Sequence, residues 1–167
     1  MSGINETYHS LQDIANAARS IADKSIEACL LICVSDDNII TSITDVTLYS
    51  SEDNATIDTR LIYETLKPNN GQRFFLVHNH PNAFCMTPSE EDLYATSMIC
   101  SDAFVFGFVF LDHLIINSNL EYFSLKENNL MDVPWSKQKQ VAKALLEKSI
   151  IDKFKGRNEV IEFLKHV

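Results

Sequence analysis

A strand that runs straight into a paired-histidine motif, followed closely by a helix-start signal, leaves this chain few ways to fold. Phe74-Phe75-Leu76-Val77 has strand character and is followed at once by His78-Asn79-His80-Pro81. Residues two apart on extended chain project from the same face, so both imidazoles can reach one ion. After the segment 81–88, Ser89-Glu90-Glu91-Asp92 reads as a helix start, with Ser89 as N-cap and Asp92 at the third helical position. The positive end of the helix dipole favours ionised Asp92, and an ionised carboxylate is the form that ligates metal.

Two imidazoles and one carboxylate make a three-ligand catalytic zinc set, which leaves the fourth tetrahedral position to water; a structural site usually fills that position with cysteine. His-x-His alone also suits a surface loop with incidental histidines and an ordinary capping serine. Pro-Ser-x-x-Asp at this distance turns the reading toward His78, His80 and Asp92 as ligands of Zn2+.

At 167 residues the chain is long enough for one domain with an appendage, and 46% hydrophobic with 22% charged residues is ordinary for a soluble globular chain. The longest apolar run, 103–111, is too short to span a bilayer, and the amino terminus lacks the basic-then-apolar pattern of a signal peptide, so a cytoplasmic location is expected. Cys29, Cys33, Cys85 and Cys100 show no Cys-x-x-Cys spacing and are expected to be free thiols. The net charge of −9 is uneven: residues 1–131 hold six Lys/Arg against eighteen Asp/Glu, and 132–167 hold eight against five. So acidic a body disfavours nucleic acid as partner unless the tail makes the contact. The tail's charges read either as a solvated helix face or as a docking site for a protein partner.

Along the chain, Ser10 can cap a first helix with Asp13 at its third position, and Leu11, Ile14, Ala15, Ala18, Ile21 and Ala22 recur at helical spacing. The apolar run 26–34, the turn Asp36-Asp37-Asn38 and a strand over 39–49 predict a hairpin. A short helix over 59–66 is stopped by Pro68 and Asn69-Asn70-Gly71, and a helix of about 90–100 follows the motif strand. Strands are predicted over 104–116, broken near Gly107, and over 121–126. The body is therefore mixed α and β. After Pro134 the pattern turns helical: Ala142, Leu146, Ile150 and Phe154 lie four apart, Gly156 ends the run, and Val160, Leu164 and Val167 stripe a last short helix.

Glu27 stands within an otherwise apolar run, where an ionised side chain needs a reason. It lies either at the exposed end of the strand or beside a metal-polarised water as general base. At this point the chain resembles a family. His78-Asn79-His80-Pro81, Thr87-Pro88-Ser89-x-x-Asp92, Leu111-Asp112-His113-Leu114-Ile115-Ile116 and Tyr122-Phe123-Ser124 look like the JAB/MPN+ (JAMM) metalloprotease domain, in its RadC-like branch, over about 27–131. The resemblance implies an α/β (α+β) fold: a mixed β-sheet flanked by helices, cytidine-deaminase-like, in a domain over 1–131 with a helical C-terminal extension over 132–167. It implies His78, His80 and Asp92 as zinc ligands, Glu27 as the base, and Ser89 as the group that steadies the oxyanion or the metal water. The implied activity is hydrolysis of a peptide or isopeptide bond without a covalent enzyme intermediate, on a protein substrate such as a ubiquitin-like conjugate or precursor.

The chain departs from the family pattern in three places. The segment between His80 and Ser89 is one residue longer than usual, and Asn82-Ala83 followed by Phe84-Cys85-Met86 stands where relatives carry Ser-Gly. Relatives also carry a helical DNA-binding-like region before the domain, whereas one helix precedes Glu27 here, which loosens the tie to DNA repair. Cys85 reads either as a thiolate that closes the open zinc position or as a loop filler. His113, in an apolar strand, reads as a structural histidine bonded near Asp112, and Phe84 and Met86 as groove lining or loop anchors. His9 and His166 lie near the termini and carry no signal. A metal-stabilised interaction module of a defence or DNA-repair system is the alternative function. A zinc nucleobase deaminase is disfavoured because no Pro-Cys-x-x-Cys pair exists.

Overall fold

In a computed structural model of the chain, residues 3–50, 55–66, 73–81 and 85–153 are described. The predicted first helix forms as two short pieces, α1 (Leu11–Ala17) and α2 (Arg19–Ala22), hinged at Ala18. Its start is the expected capping box: the Ser10 side chain accepts from the Asp13 backbone N–H while the Asp13 carboxylate accepts from the Ser10 N–H.

Five strands form the main sheet in the order β2 (Ile40–Asp45), β1 (Cys29–Val34), β5 (Arg73–Asn79), β6 (Val109–Ile116), β7 (Tyr122–Ser124). Only β5 and β6 run parallel, because the helix α4 (Glu90–Phe106) carries the chain back between them. The sheet is thus mixed and flanked by helices, as expected. Strand alternation sends Leu30, Ile32, Val34, Phe75, Val77, Leu114 and Ile116 to the face covered by α1 and α2. It sends Cys29, Leu31, Cys33, Phe74 and Leu76 to the opposite face, where they meet Ile62 and Leu66 of α3 (Thr59–Leu66) and Ile99 and Ala103 of α4. Each fully buried Leu or Ile among these contributes about 1.5–3 kcal/mol. His78 shares the second face, so β5 ends under the first turns of α4.

The predicted strand over 39–49 is two strands. After β2 the Asp45 carboxylate accepts from the Thr47 N–H at 3.0 Å, the chain bends, and β3 (Thr47–Ser50) pairs with β4 (Ala55–Ile57) in a separate two-stranded sheet. Buried Val46 is the pivot: its N–H bonds the Cys29 carbonyl at 2.9 Å and its carbonyl accepts from the Asp58 N–H at 2.8 Å. The predicted strand at 104–106 is instead the last turn of α4. Gly107, at φ 74°, ends that helix with a left-handed residue, a conformation that costs glycine little.

The helix after Pro134, α5 (Trp135–Lys153), forms, and of its predicted stripe Ile150 is buried and Ala142 packs inward, while Phe154 lies outside the described residues. Val141, Ala142 and Leu145 face a third apolar cluster of Leu93, Ile115, Leu125, Leu130 and Val133, whereas Leu146 is exposed. The expected turn over 68–71, the apolar insert up to Phe84, and the last helix beyond Gly156 lie outside the described residues. Among the described residues no helix is long and apolar enough to cross a membrane.

Candidate metal centre

Two elements meet to build the site. β5 delivers His78 at its end and His80 just beyond it, both on the α4 side, and the first turn of α4 delivers Asp92. The side chains converge: His78 Nε2 lies 3.0 Å from His80 Nε2 and 3.3 Å from Asp92 Oδ1, and His80 Nε2 lies 3.5 Å from Asp92 Oδ2. One ligand atom from each lies within 4.8 Å of the others, and this is the one such group of His, Cys, Asp and Glu among the described residues.

The electrostatics suit a cation. Burial alone would raise the Asp92 carboxyl, but the two imidazoles against it outweigh burial and hold its pKa well below the ordinary carboxylate value. Burial likewise opposes protonation of His80, and Asp92, the Cys85 carbonyl and Glu27 reverse that, leaving its pKa raised. The site thus collects negative charge and donor atoms beneath an apolar sheet. Because the Cys85 carbonyl can only accept, His80 Nδ1 carries the hydrogen of their 2.9 Å bond, and in the neutral ring His80 Nε2 is the lone pair. Nitrogen, nitrogen and carboxylate oxygen at this separation fit the donor set of a divalent transition metal, so these three side chains could hold one.

Ser89 is the N-cap of α4, as its spacing predicts. Its Oγ accepts from the Asp92 N–H at 3.1 Å and donates to Asp92 Oδ2 at 2.8 Å, so the same hydroxyl that starts the helix also steadies the carboxylate. Glu27 precedes β1 instead of standing second in it, and it is buried, 7% exposed, with Oε1 3.7 Å from His80 Nε2. The exposed-strand-end reading of Glu27 is therefore excluded.

What brings Glu27 there is a residue to which motif spacing assigns no role. Asn79, fully buried between the two histidines, points to the opposite face. Its Oδ1 accepts from the Ala28 N–H at 2.7 Å, and its Nδ2 donates to the carbonyls of Ile26 and Lys24 at 3.2 and 3.3 Å. A side chain here replaces a strand partner, which is why the β1 ladder begins at Cys29 and the Glu27 segment lies against the end of β5. The signal available in sequence was an amide inside a buried run, which must find partners.

His113 is a buried, hydrogen-bonded histidine beside Asp112, as expected, but Asp112 meets only its backbone. Its backbone N–H bonds Asp112 Oδ1 at 2.7 Å, but its ring turns to the other face, with Nε2 2.8 Å from His78 Nδ1 and Nδ1 2.7 Å from Thr96 Oγ1. Burial pushes its pKa down to about 3, so the ring is neutral. Asp112 instead stitches β6 to β7, accepting from the Ser124 hydroxyl at 2.5 Å and the Lys126 N–H at 2.9 Å. The Cys85 thiol turns to Thr87 Oγ1 at 2.6 Å and stands outside the metal-competent group, while Met86 packs on the third cluster and anchors the segment.

The family model described as the RadC-like JAB domain matches residues 8–130. A UPF0758 protein of Porphyromonas gingivalis is 35% identical over 74 residues, which are 44% of this chain and 32% of that protein. Another from Fusobacterium nucleatum is 34% identical over 79 residues, 47% of this chain and 33% of that one. One from Clostridium acetobutylicum is 31% identical over 105 residues, 63% of this chain and 44% of that protein. The matched stretch thus spans from about a third to less than half of the length of these relatives. The match covers both elements that carry the site, and the chain belongs to the RadC-like JAB domain family.

Proposed function

We propose that the chain is a zinc-dependent metallopeptidase or isopeptidase that hydrolyses a peptide or isopeptide bond of a protein substrate, with a ubiquitin-like conjugate or precursor as the substrate class to try first. The observation that carries this reading is Glu27, a buried carboxylate set at the rim of the His78, His80 and Asp92 group. Its Oε1, 3.7 Å from His80 Nε2, stands where a water bound beside His80 would lose a proton.

His78, His80 and Asp92 would hold the zinc, which when bound would supply a Lewis acid and lower the pKa of a bound water from about 15.7 towards roughly 7. Glu27 takes the proton from the attacking water and returns it to the leaving amine. The Ser89 hydroxyl, which donates to Asp92 in this structure, turns to the developing oxyanion. Asn79 holds the Glu27 segment in place through this exchange. The site lies at the end of β5, the central strand of the sheet, and the acidic body favours a protein over a nucleic acid.

The test is cleavage of ubiquitin-like conjugates by purified protein, with and without a chelator, beside Glu27→Gln. Zinc in stoichiometric amount, activity lost to chelator and activity lost in Glu27→Gln support the reading. Zinc retained with function indifferent to Glu27→Gln would leave the metal-stabilised interaction module in its place.

A further inference from the structure

We propose that Thr96 and His113 form a relay that fixes the tautomer of His78 so that its Nε2 lone pair faces the metal site, which makes His113 a positioning residue for that site. The inference rests on the metal-binding part of the proposed function and not on the reaction.

The hydrogen-bond directions follow from one acceptor-only group. The backbone carbonyl of Asp92 can only accept, so Thr96 Oγ1, 2.6 Å away, donates to it. With its hydrogen spent, Thr96 Oγ1 accepts from His113 Nδ1 at 2.7 Å. A neutral imidazole has one N–H, and His113 is 1% exposed with no carboxylate on its ring, so His113 Nε2 is an acceptor. His78 Nδ1, 2.8 Å from it, must then donate, and His78 Nε2 is left bare. Together with His80, whose Nδ1 is committed to the Cys85 carbonyl, two lone pairs face one another across 3.0 Å. Such a pair repels unless a proton or a metal cation lies on it. The site is set for metal before metal arrives.

The relay closes on itself. Asp92 anchors it through its carbonyl and offers its carboxylate 3.3 Å from the nitrogen that the relay exposes. Metal-bound histidines usually donate their second N–H to a carboxylate, a carbonyl or water. A neutral imidazole in that place orients His78 without adding negative charge.

The experiment reads the tautomer directly in metal-free protein. Nitrogen-15 long-range spectra at about pH 8, where unperturbed imidazoles are neutral, should show Nδ1–H and bare Nε2 for His78 in the wild type and in Thr96→Ser. In Thr96→Val the hydrogen on His113 moves to Nε2, and His78 should shift toward the Nε2–H form. Zinc affinity by competition with a chromophoric chelator should fall 10- to 100-fold in Thr96→Val and His113→Leu. Thr96→Ser should keep wild-type affinity. His113→Gln, whose amide offers an acceptor and a donor in the same order, should stay within a few-fold of it. An Nε2–H His78 in the wild type, or Thr96→Val with unchanged tautomer and affinity, overturns the relay. A wild type that binds no zinc overturns the proposed function instead, while the His78 tautomer in the same sample still decides the relay.

Discussion

Asn79 shows how one buried amide can govern a site it does not enter. Its oxygen is the partner of the Ala28 N–H, and its NH2 group spans two further carbonyls of the segment that carries Glu27. Asn79→Ala leaves that N–H unpaired away from water and should cost about 1–3 kcal/mol in urea unfolding. Because the amide faces away from the ligands, zinc affinity should stay while turnover drops; unchanged turnover, or loss of zinc affinity, would refute this assignment. Asp112 offers a pH prediction. Burial raises its carboxyl pKa despite the hydrogen bonds it accepts, so the folded state holds its proton more tightly than the unfolded one. Its contribution to stability therefore falls as pH rises from about 3.9, the unfolded value, through the raised folded one. Asp112→Asn keeps an acceptor for the His113 and Lys126 N–H groups and removes that dependence. Unfolding free energies of the two proteins, measured from pH 3 to 8, should diverge in favour of Asn as pH rises.

At the scale of elements, α1 and α4 begin with the same device. Ser10 with Asp13 and Ser89 with Asp92 are both reciprocal capping boxes. Ser10→Ala and Ser89→Ala should each lose about 1 kcal/mol of stability by urea titration. Only Ser89→Ala should also lose turnover, by the 3–4 kcal/mol typical of one oxyanion donor. Equal activity in both variants would reduce Ser89 to a helix cap. The strand reading of 104–106 failed for a related reason. Phe104, Val105 and Phe106 suit a strand, but α4 runs on until Gly107 supplies the left-handed residue that ends it, and these three side chains are exposed. The bend after β2 was also illegible, because it depends on Val46 finding partners at Cys29 and Asp58.

For the whole molecule, α5 is part of the body it follows. Val141, Ala142 and Leu145 cover Leu93, Leu125 and Leu130, so truncation after Met131 should expose this cluster and lower the urea midpoint. Zinc should act in the opposite direction: at 100 times its dissociation constant it should add about 2.7 kcal/mol, seen as a higher melting temperature that a chelator reverses. His78, His80, Ser89 and Asp92 could be read from sequence because they lie on one strand end and one helix start, where spacing alone sets direction. The strand order, the Glu27 position and the Thr96–His113 contacts could not. Asn79 reaches Ala28 across 51 positions and His78 reaches His113 across 35, and no local period records such pairings. Ser-x-x-Asp occurs six times in this chain, once inside strand β2 as Ser42-Ile43-Thr44-Asp45, so the pattern by itself does not determine even a capped helix. Packing of α4 against the end of β5 decides which aspartate meets two histidines, because the buried faces of strand and helix allow one register.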